Sequence, residues 1–390
     1  MHQKNIVVKS EQKKNKIYIK FIFMFIVLCV ITLASIFYLN FSGSVQFILG
    51  IKNNISSFFG SRNFPVDIPG QFIEPDNFCE INRKVLCLSN SCFSVFNSKG
   101  NQIYSDNHDL SVPRMKVANN RVLLYDLGGH NFRLEYLNKR IFCGDLKNKI
   151  TDASISCKGD YGFIADSLEY LAEMFIFNAK NSLKYRYCFA NCYPTCMALN
   201  DDGKQAAIAG IYTENGKPTS SIKIFELNKE IPKFNIKIED NMFFNIEFFS
   251  NSNSVVAIGD RSLVFVNNND GSFKEIKYDD QKLCSKFINK NDGVAITLSP
   301  NCDDYNQIIK IFNKKGNLIS NIESKSKINS VSYKNGMVSA VSENFCTIYD
   351  AYGLIYCRIK NPVCTKKIEL ISNSCAYILG TGVFDILYLN

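Results

Sequence analysis

The sequence contains no tryptophan and only three histidines, at positions 2, 108 and 130. Without tryptophan the chain lacks the indole platforms on which sugars or bases stack. Three histidines leave little room for a histidine-based zinc site or for a serine–histidine–aspartate hydrolase. The chain is nevertheless 46% hydrophobic over 390 residues, which argues against disorder. The composition predicts a large packed core and gives no basis for a cofactor, a metal site or a catalytic residue.

One long uncharged hydrophobic run occupies residues 21–39, close to the roughly 20 residues that a helix needs to cross a bilayer. Six lysines precede it, with only Glu11 opposing them. The positive-inside rule therefore predicts a cytoplasmic tail at 1–17, a transmembrane helix at 18–41, and everything beyond on the outside. A cleaved signal peptide is the alternative, although such peptides usually have a shorter apolar core that ends at a small-residue site.

The tail also accounts for more than half of the net charge of +9. Nucleic acid is therefore not a predicted partner, because the remaining domain is close to balanced. Residues 42–77 are predicted to be a juxtamembrane linker, in which 45–59 form either a short amphipathic helix on the membrane surface or plain linker. Pro65 and Pro69 then break any helix. The predicted topology is a single-pass protein of the cell membrane, with its C-terminal domain outside the cell.

From Phe78 onward, short runs of valine, isoleucine, phenylalanine and tyrosine alternate with turns rich in asparagine, glycine, aspartate and lysine. The turn after the most apolar run of each unit recurs at intervals of roughly 40 residues, the length of a four-stranded propeller blade. We therefore predict an all-β fold, an eight-bladed β-propeller over residues 78–390, with seven blades as the alternative. The eight turns lie near Asn90, Asp126, Asp166, Tyr212, Asp260, Pro300, Glu343 and Thr381.

Two hairpin types recur within these units in a fixed order, which a β-sandwich would not usually repeat. One runs through residues 199–209, with looser copies at 156–165 and 333–341. The other ends in glycine or asparagine, as suits a residue with positive φ. Its copies are residues 96–100, 177–181, 312–316 and 349–353.

The last unit ends after three predicted strands, at residues 384–389. Closed rings avoid open sheet edges, which invite aggregation. We therefore predict that an early segment, Gln71 to Glu74, supplies the outer strand of the last blade and closes the propeller.

The chain resembles the bacterial domain-of-unknown-function family numbered 5711. The likeness rests on the basic tail, the single span and the repeated hairpins, and it is carried mostly by residues 100–227. Within that segment lie Pro113 before a strand, the sequence YDLGG at 125–129, the sequence ALNDDGKQAAIA at 198–209 and the stretch 216–227. The resemblance implies an extracytoplasmic propeller of the cell envelope, and it implies no activity and no site residues.

Two cysteine pairs are candidates for disulfides, because the predicted topology places them in an oxidising compartment. Cys87 and Cys92 are predicted to oppose each other across a tight turn, as are Cys346 and Cys357. Opposed residues on antiparallel strands can lie within disulfide reach.

A third group of cysteines, Cys188, Cys192 and Cys196, is spaced at every fourth residue. This spacing is not typical of zinc or iron–sulfur sites. A disulfide among the three is an alternative, but buried thiols that act as small hydrophobic side chains are favoured. One further cysteine, Cys29, falls in the predicted membrane span.

The turns between second and third strands of a propeller gather on one face, and here they carry charge. We predict that this face forms a binding rim for a cation or a basic partner, although aspartate is also simply a good turn residue. The rim residues are Asp126, His130, Asp166, Asp260, Arg261 and Glu343. The opposite hairpins carry a basic set that either faces anionic lipid or wall polymer or is a solvated surface: Lys99, Lys139, Arg140, Lys180, Lys229, Lys314 and Lys315.

The function predicted from the sequence is a membrane-anchored, non-catalytic scaffold that binds an envelope protein or a wall polymer. The alternative is an envelope glycan hydrolase or lyase with its site on the channel face of the propeller. An enzyme of that kind needs a nucleophile with a base, or two suitably spaced carboxylates, and His130 is the one predicted base beside the rim.

Overall fold

The computed structural model describes residues 63–70, 72–361 and 364–389. This part of the chain contains 32 β-strands, arranged as eight four-stranded antiparallel sheets. The prediction of an all-β propeller is confirmed with eight blades, and the seven-bladed alternative is wrong. Among these residues no helix has the length and apolarity that a membrane span requires. The predicted tail, the transmembrane helix and the segment 45–59 lie outside the described residues.

The first seven blades each use four consecutive strands, with the first strand facing a central channel. Blade 1 contains β2 (Ile73–Ile81), β3 (Lys84–Ser89), β4 (Cys92–Asn97) and β5 (Gln102–Asn107). Blade 2 contains β6 (Pro113–Ala118), β7 (Arg121–Asp126), β8 (Asn131–Tyr136) and β9 (Lys139–Asp145). Blade 3 contains β10 (Ile150–Ile155), β11 (Tyr161–Ala165), β12 (Ala172–Phe177) and β13 (Leu183–Phe189).

The next four blades repeat this arrangement. Blade 4 contains β14 (Tyr193–Leu199), β15 (Gln205–Glu214), β16 (Lys217–Glu226) and β17 (Phe234–Glu239). Blade 5 contains β18 (Phe243–Phe248), β19 (Ser254–Gly259), β20 (Ser262–Asn267) and β21 (Phe273–Lys277). Blade 6 contains β22 (Lys282–Asn289), β23 (Gly293–Ser299), β24 (Gln307–Asn313) and β25 (Leu318–Ser324). Blade 7 contains β26 (Ile328–Lys334), β27 (Met337–Ser342), β28 (Phe345–Tyr349) and β29 (Ile355–Lys360).

Blade 8 closes the ring with strands from distant parts of the chain. It contains β30 (Lys367–Ser372), β31 (Cys375–Leu379) and β32 (Val383–Tyr388), and its outer strand is β1 (Val66–Asp67). Val66 pairs with Phe384, and Asp67 with Val383. The predicted mode of closure is thus correct.

Our prediction of which residues close the ring is wrong, because Val66–Asp67 and not Gln71 to Glu74 form the outer strand. Gln71 lies outside the described residues, and Glu74 belongs to β2, the innermost strand of blade 1. The chain leaves the outer edge of blade 8 earlier, because Gly70, with φ of 81°, turns it towards the channel.

One apolar cluster fills the space between each pair of neighbouring blades, which gives eight clusters around the described ring. Because both faces of a blade are covered, its second strand is apolar at nearly every position rather than at alternate positions. Val255 to Ile258 in β19, for example, are all fully buried. This double burial explains why the most apolar run of each unit precedes the turn between the second and third strands.

The predicted turns agree with the structure at all but one position. Glycine or asparagine occupies the left-handed region of the third-to-fourth turn at Gly100, Asn181, Gly316 and Gly353. Tyr212, however, lies within β15. β15 and β16 each have ten residues, so this hairpin is longer, and it turns three positions later at Asn215 and Gly216.

Candidate functional site

The antiparallel order of the strands gives the propeller two distinct faces. The turns between second and third strands lie on the same face as the links between consecutive blades. We call it the connection face, and its turns are residues 90–91, 127–130, 166–171, 215–216, 260–261, 300–306, 343–344 and 380–382. The opposite surface, the hairpin face, carries the first-to-second and third-to-fourth turns, including the predicted basic set.

Two of the predicted rim carboxylates hold the connecting loops in place. Asp126 is buried, and its Oδ1 accepts a hydrogen bond from the backbone N–H of Val112 at 2.7 Å. Asp260 binds the N–H of Met242 in the same way, also at 2.7 Å. In both blades the aspartate after the second strand secures the loop that leads into the first strand. These carboxylates therefore do not form an open ring of negative charge.

The other rim residues come from blades 2, 3, 5 and 7 and have separate surroundings. Asp166 accepts a hydrogen bond from the Tyr193 hydroxyl at 3.4 Å. His130 Nδ1 lies 3.1 Å from the Leu146 carbonyl oxygen. Arg261 forms an ion pair with Asp240, and Glu343 is exposed. Within the described chain, no group of three or more histidine, cysteine or acidic side chains could hold a metal ion.

Large apolar side chains are exposed on the connection face, in its turns, in the links between blades and at the starts of first strands. Leu168 is 93% exposed, Tyr305 63% and Phe72 51%. The sequence did not predict this group, because a single apolar residue in a turn cannot be distinguished from the apolar end of the neighbouring strand. The full set is Phe72, Val112, Leu168, Tyr170, Leu171, Tyr193, Met242, Phe244 and Tyr305.

A second exposed apolar group lies on the outer strands and outer turns of blades 6 and 7. Tyr352 is 87% exposed there. Its neighbours in this group are Leu318, Ile319, Leu354, Ile355 and Tyr356. It does not surround the channel.

The basic set lies on the hairpin face, because its members lie in third-to-fourth turns or, for Lys139 and Arg140, at the start of β9. Several of its members are engaged within the fold. Arg140 pairs with Asp106, Lys229 pairs with Glu226 at 2.6 Å, and Lys314 Nζ donates to the Ser250 carbonyl at 3.1 Å.

The central channel is lined by charged side chains from the first strands of the blades. Lys116 pairs with Asp152 at 3.3 Å. Burial alone would lower the pKa of Lys116, but the charge and hydrogen bond of Asp152 together with Tyr125 and the charge of Glu247 outweigh burial, so the pKa is raised. Three further lysines pair with carboxylates of first strands: Lys290, in the β22–β23 turn, with Glu247 at 2.9 Å, Lys334 with Glu80 at 3.1 Å and Lys367 with Glu369 at 2.9 Å.

Sequence reasoning also missed this channel, although a signal was present. A charged residue sits inside an apolar first strand in blade after blade, as at Lys116, Asp152, Glu247 and Lys286. In six blades the first strand also has a one-residue β-bulge, which re-aims a side chain and bends the strand. The extra residues are Thr151, Thr195, Phe244, Cys284, Asn329 and Ile371.

The registers that we predicted for the two cysteine pairs are wrong. Cys87 pairs with Ser94, since the turn occupies residues 90–91. Cys346 pairs with Ile359, because a turn of residues 350–354 replaces the predicted two-residue turn. All fourteen cysteines of the described chain are free thiols in the structure.

The three clustered cysteines follow the favoured interpretation in part. Cys192 and Cys196 are buried, and burial raises the pKa of Cys196 to about 12. Cys188 is half-buried in β13. A cysteine contact that the sequence did not suggest brings Cys302, in the loop between β23 and β24, close to the bulge residue Cys284, since the Cys302 thiol donates to the carbonyl oxygen of the adjacent Leu283 at 3.5 Å.

Comparison with known proteins agrees with this architecture. The model of a family of unknown function (DUF5711) matches residues 71–379. No curated protein matches the chain in sequence.

Several solved structures share the fold at low sequence identity. BamB from Moraxella catarrhalis is 11% identical with a TM-score of 0.54, covering 83% of this chain and 99% of that one. Sqt1 from Saccharomyces cerevisiae is 9% identical with a TM-score of 0.58 and the same coverage. A chain of the Mitotic Checkpoint Complex is 13% identical with a TM-score of 0.52, covering 74% of this chain and 94% of that one. These likenesses establish the propeller fold alone.

Proposed function

The chain belongs to the DUF5711 family of unknown function, and we propose that its propeller is a non-catalytic scaffold that binds a protein partner on the connection face. The observation that carries this proposal is the group of nine large apolar side chains exposed on the connection face. Exposed apolar side chains concentrated on one face of a domain are typical of interaction sites. The loops that present it are fixed to the blades, as Asp126 and Asp260 illustrate.

Two further considerations support docking over catalysis. The carboxylates of Asp126 and Asp260 are bonded to backbone amides, so glycan hydrolysis has no observation in its favour. One neighbour in fold was solved within a complex, the Mitotic Checkpoint Complex. Fold likeness alone does not transfer function, and the apolar connection face remains the main support.

The proposal includes the location inferred from the sequence. The uncharged run at 21–39 and the lysines before it favour a membrane anchor with the propeller on the outer side. Protease added to intact cells should then digest the propeller. If digestion requires permeabilised cells, the orientation is reversed.

Site-specific photocrosslinking tests the docking face in living cells. A photoreactive residue at Leu168, 93% exposed on the connection face, should give a discrete crosslinked partner. The matched control is Ile231, 73% exposed in a turn of the hairpin face, which should give none. A partner captured from Ile231 but not from Leu168 would show that docking uses the other side. The variant Leu168→Asp should weaken the interaction without lowering the thermal midpoint.

A further inference from the structure

The central channel contains a cavity of about 440 Å³, bounded by the first strands of blades 1 to 6. This is within the size range of small-molecule sites, about 300–1,000 Å³. Several of its polar groups lack partners within the fold. They include both a cation and acceptors of hydrogen bonds. The cavity therefore offers partners for an anionic group and for a hydrogen-bond donor.

The cation is Lys286 in β22. Of the other cations that line this cavity, Lys116 is paired with Asp152 and Arg114 donates to the Pro113 carbonyl oxygen at 3.3 Å, but Lys286 has no carboxylate within 4 Å among the described residues. Its ammonium lies 5.5 Å from the ring centroid of Phe244. Burial lowers the pKa of Lys286, while the charge of Asp76 opposes that shift. An ammonium that is partly withdrawn from water without an anion beside it carries a desolvation cost, and an incoming anion would relieve that cost.

The acceptors lie on β2, which also lines the cavity. Asn77 is 2% exposed, and its Nδ2 donates to the Pro113 carbonyl at 2.9 Å. Its Oδ1 has no hydrogen-bond partner in the described structure. Buried acceptors are normally satisfied, so an exception needs an explanation. The preceding residue, Asp76, is exposed at the cavity and forms no ion pair with any described residue, and it contributes a negative charge.

We propose that this cavity binds a small zwitterion of the dipeptide class, with its carboxylate on Lys286 and its ammonium on Asp76 and Asn77 Oδ1. A simple anion would leave the two acceptors unfilled, and a simple cation would leave Lys286 unpaired. A molecule that carries both a carboxylate and an ammonium pairs with Lys286 and also fills the two acceptors. Phe244 and Ile246 supply apolar wall for its side chains. This site shares Phe244 with the apolar group on the connection face, but ligand binding in the cavity does not depend on partner docking.

Isothermal titration calorimetry of the purified full-length chain tests the proposal with alanyl-alanine as the probe. Two capped analogues accompany it: N-acetyl-alanyl-alanine, which lacks the ammonium, and alanyl-alanine amide, which lacks the carboxylate. The uncapped dipeptide should bind at least about tenfold more tightly than either analogue. No binding at millimolar concentration, or equal binding of all three, would overturn the proposal.

Two variants test which residue binds the carboxylate of the ligand and which binds its ammonium. Lys286→Met should abolish the difference between the dipeptide and its amide. Asp76→Asn should abolish the difference between the dipeptide and its N-acetyl form. Lys282→Met, at the exposed start of the same strand, is the matched control and should leave all affinities unchanged. Thermal midpoints check that each variant is folded. Retention of both preferences in folded Lys286→Met and Asp76→Asn would also contradict the assignment.

Discussion

At the scale of single residues, Asp126 shows how a predicted binding group can be part of the fold. Its position in a turn is visible in the sequence, and so is its charge. What the sequence does not reveal is the partner, the backbone N–H of Val112, because that contact depends on how the preceding loop lies across the blade. Glu343 occupies the corresponding turn of blade 7 and is exposed.

The different surroundings of Asp126 and Glu343 predict that substitution by alanine has a large effect on stability at the first position and a small effect at the second. Asp126→Ala removes the acceptor and leaves the Val112 N–H without its partner, so we expect the free energy of unfolding to fall by about 1–2 kcal/mol. Glu343→Ala should change it by no more than about 0.5 kcal/mol. Urea denaturation of both variants measures the difference. Equal losses would indicate that the carboxylate of Asp126 contributes no more than surface charge.

The contact between Cys284 and Cys302 predicts where a first crosslink forms. On treatment with diamide, the two thiols should give up two protons and two electrons to the oxidant and form a disulfide. Peptide mapping by mass spectrometry identifies the bond. Cys302→Ser should prevent it, whereas Cys143→Ser, which removes an exposed thiol elsewhere, should not. Formation of a Cys87–Cys92 bond instead would contradict the register of β3 and β4.

At the scale of elements, the strands and turns follow from periodicity and turn chemistry, but their register does not. Cys87 was predicted to oppose Cys92, and the true partner is Ser94. The hydroxyl of Ser89 accepts the Cys92 N–H at 3.0 Å and so fixes a turn one position later than expected. Register depends on such local bonds, which an apolar pattern on both faces of a strand cannot specify.

The link between blades 1 and 2 contains a histidine that should make stability depend on pH. His108 is buried, with Nε2 at 3.0 Å from the Ser89 carbonyl and Nδ1 accepting the Leu110 N–H at 3.3 Å. These bonds suit the neutral ring, and burial lowers the pKa of His108 below 6.5. The folded state therefore binds fewer protons than the unfolded state as pH falls through that value.

It follows that stability contributed by neutral His108 is present above pH 6.5 and is lost as the pH falls towards the lower folded-state pKa. Urea denaturation between pH 7.5 and pH 5 should show a decline in the free energy of unfolding. In His108→Gln this decline should be smaller. An identical pH dependence in both proteins would exclude His108 as its source.

At the scale of the whole molecule, the sequence predicts the blade number but not the channel. Eight turns at a regular interval are enough to count blades, because each blade is a local unit. The channel brings together Asp76, Lys116, Asp152, Glu247 and Lys286 from five blades. Their proximity depends on ring closure and on which strand of each blade lies innermost, and neither follows from spacing along the chain.

Closure itself predicts a large effect of a short truncation. Removing residues 383–390 deletes β32, to which β1 pairs, and also removes Phe384, whose ring packs against Phe78 at 5.7 Å and Phe96 at 5.2 Å. The thermal midpoint should drop sharply.

A point substitution separates the contribution of the Phe384 ring to stability from that of the pairing between β1 and β32. Phe384→Ala alone should cost about 3–5 kcal/mol, whereas Leu354→Ala, 66% exposed in an outer turn, should cost little. An unchanged midpoint in the truncated chain would show that the ring does not depend on β32.

The pairing of β1 with β32 also imposes an order on biosynthesis. During translation β1 is synthesised near the start of the propeller and β32 near its end. β1 therefore cannot pair with β32 until translation is nearly complete. Throughout that interval the nascent chain is an open horseshoe whose terminal blades lack their mutual cover. Contacts so distant along the chain form slowly, and newly made copies remain vulnerable to aggregation until the final blade emerges.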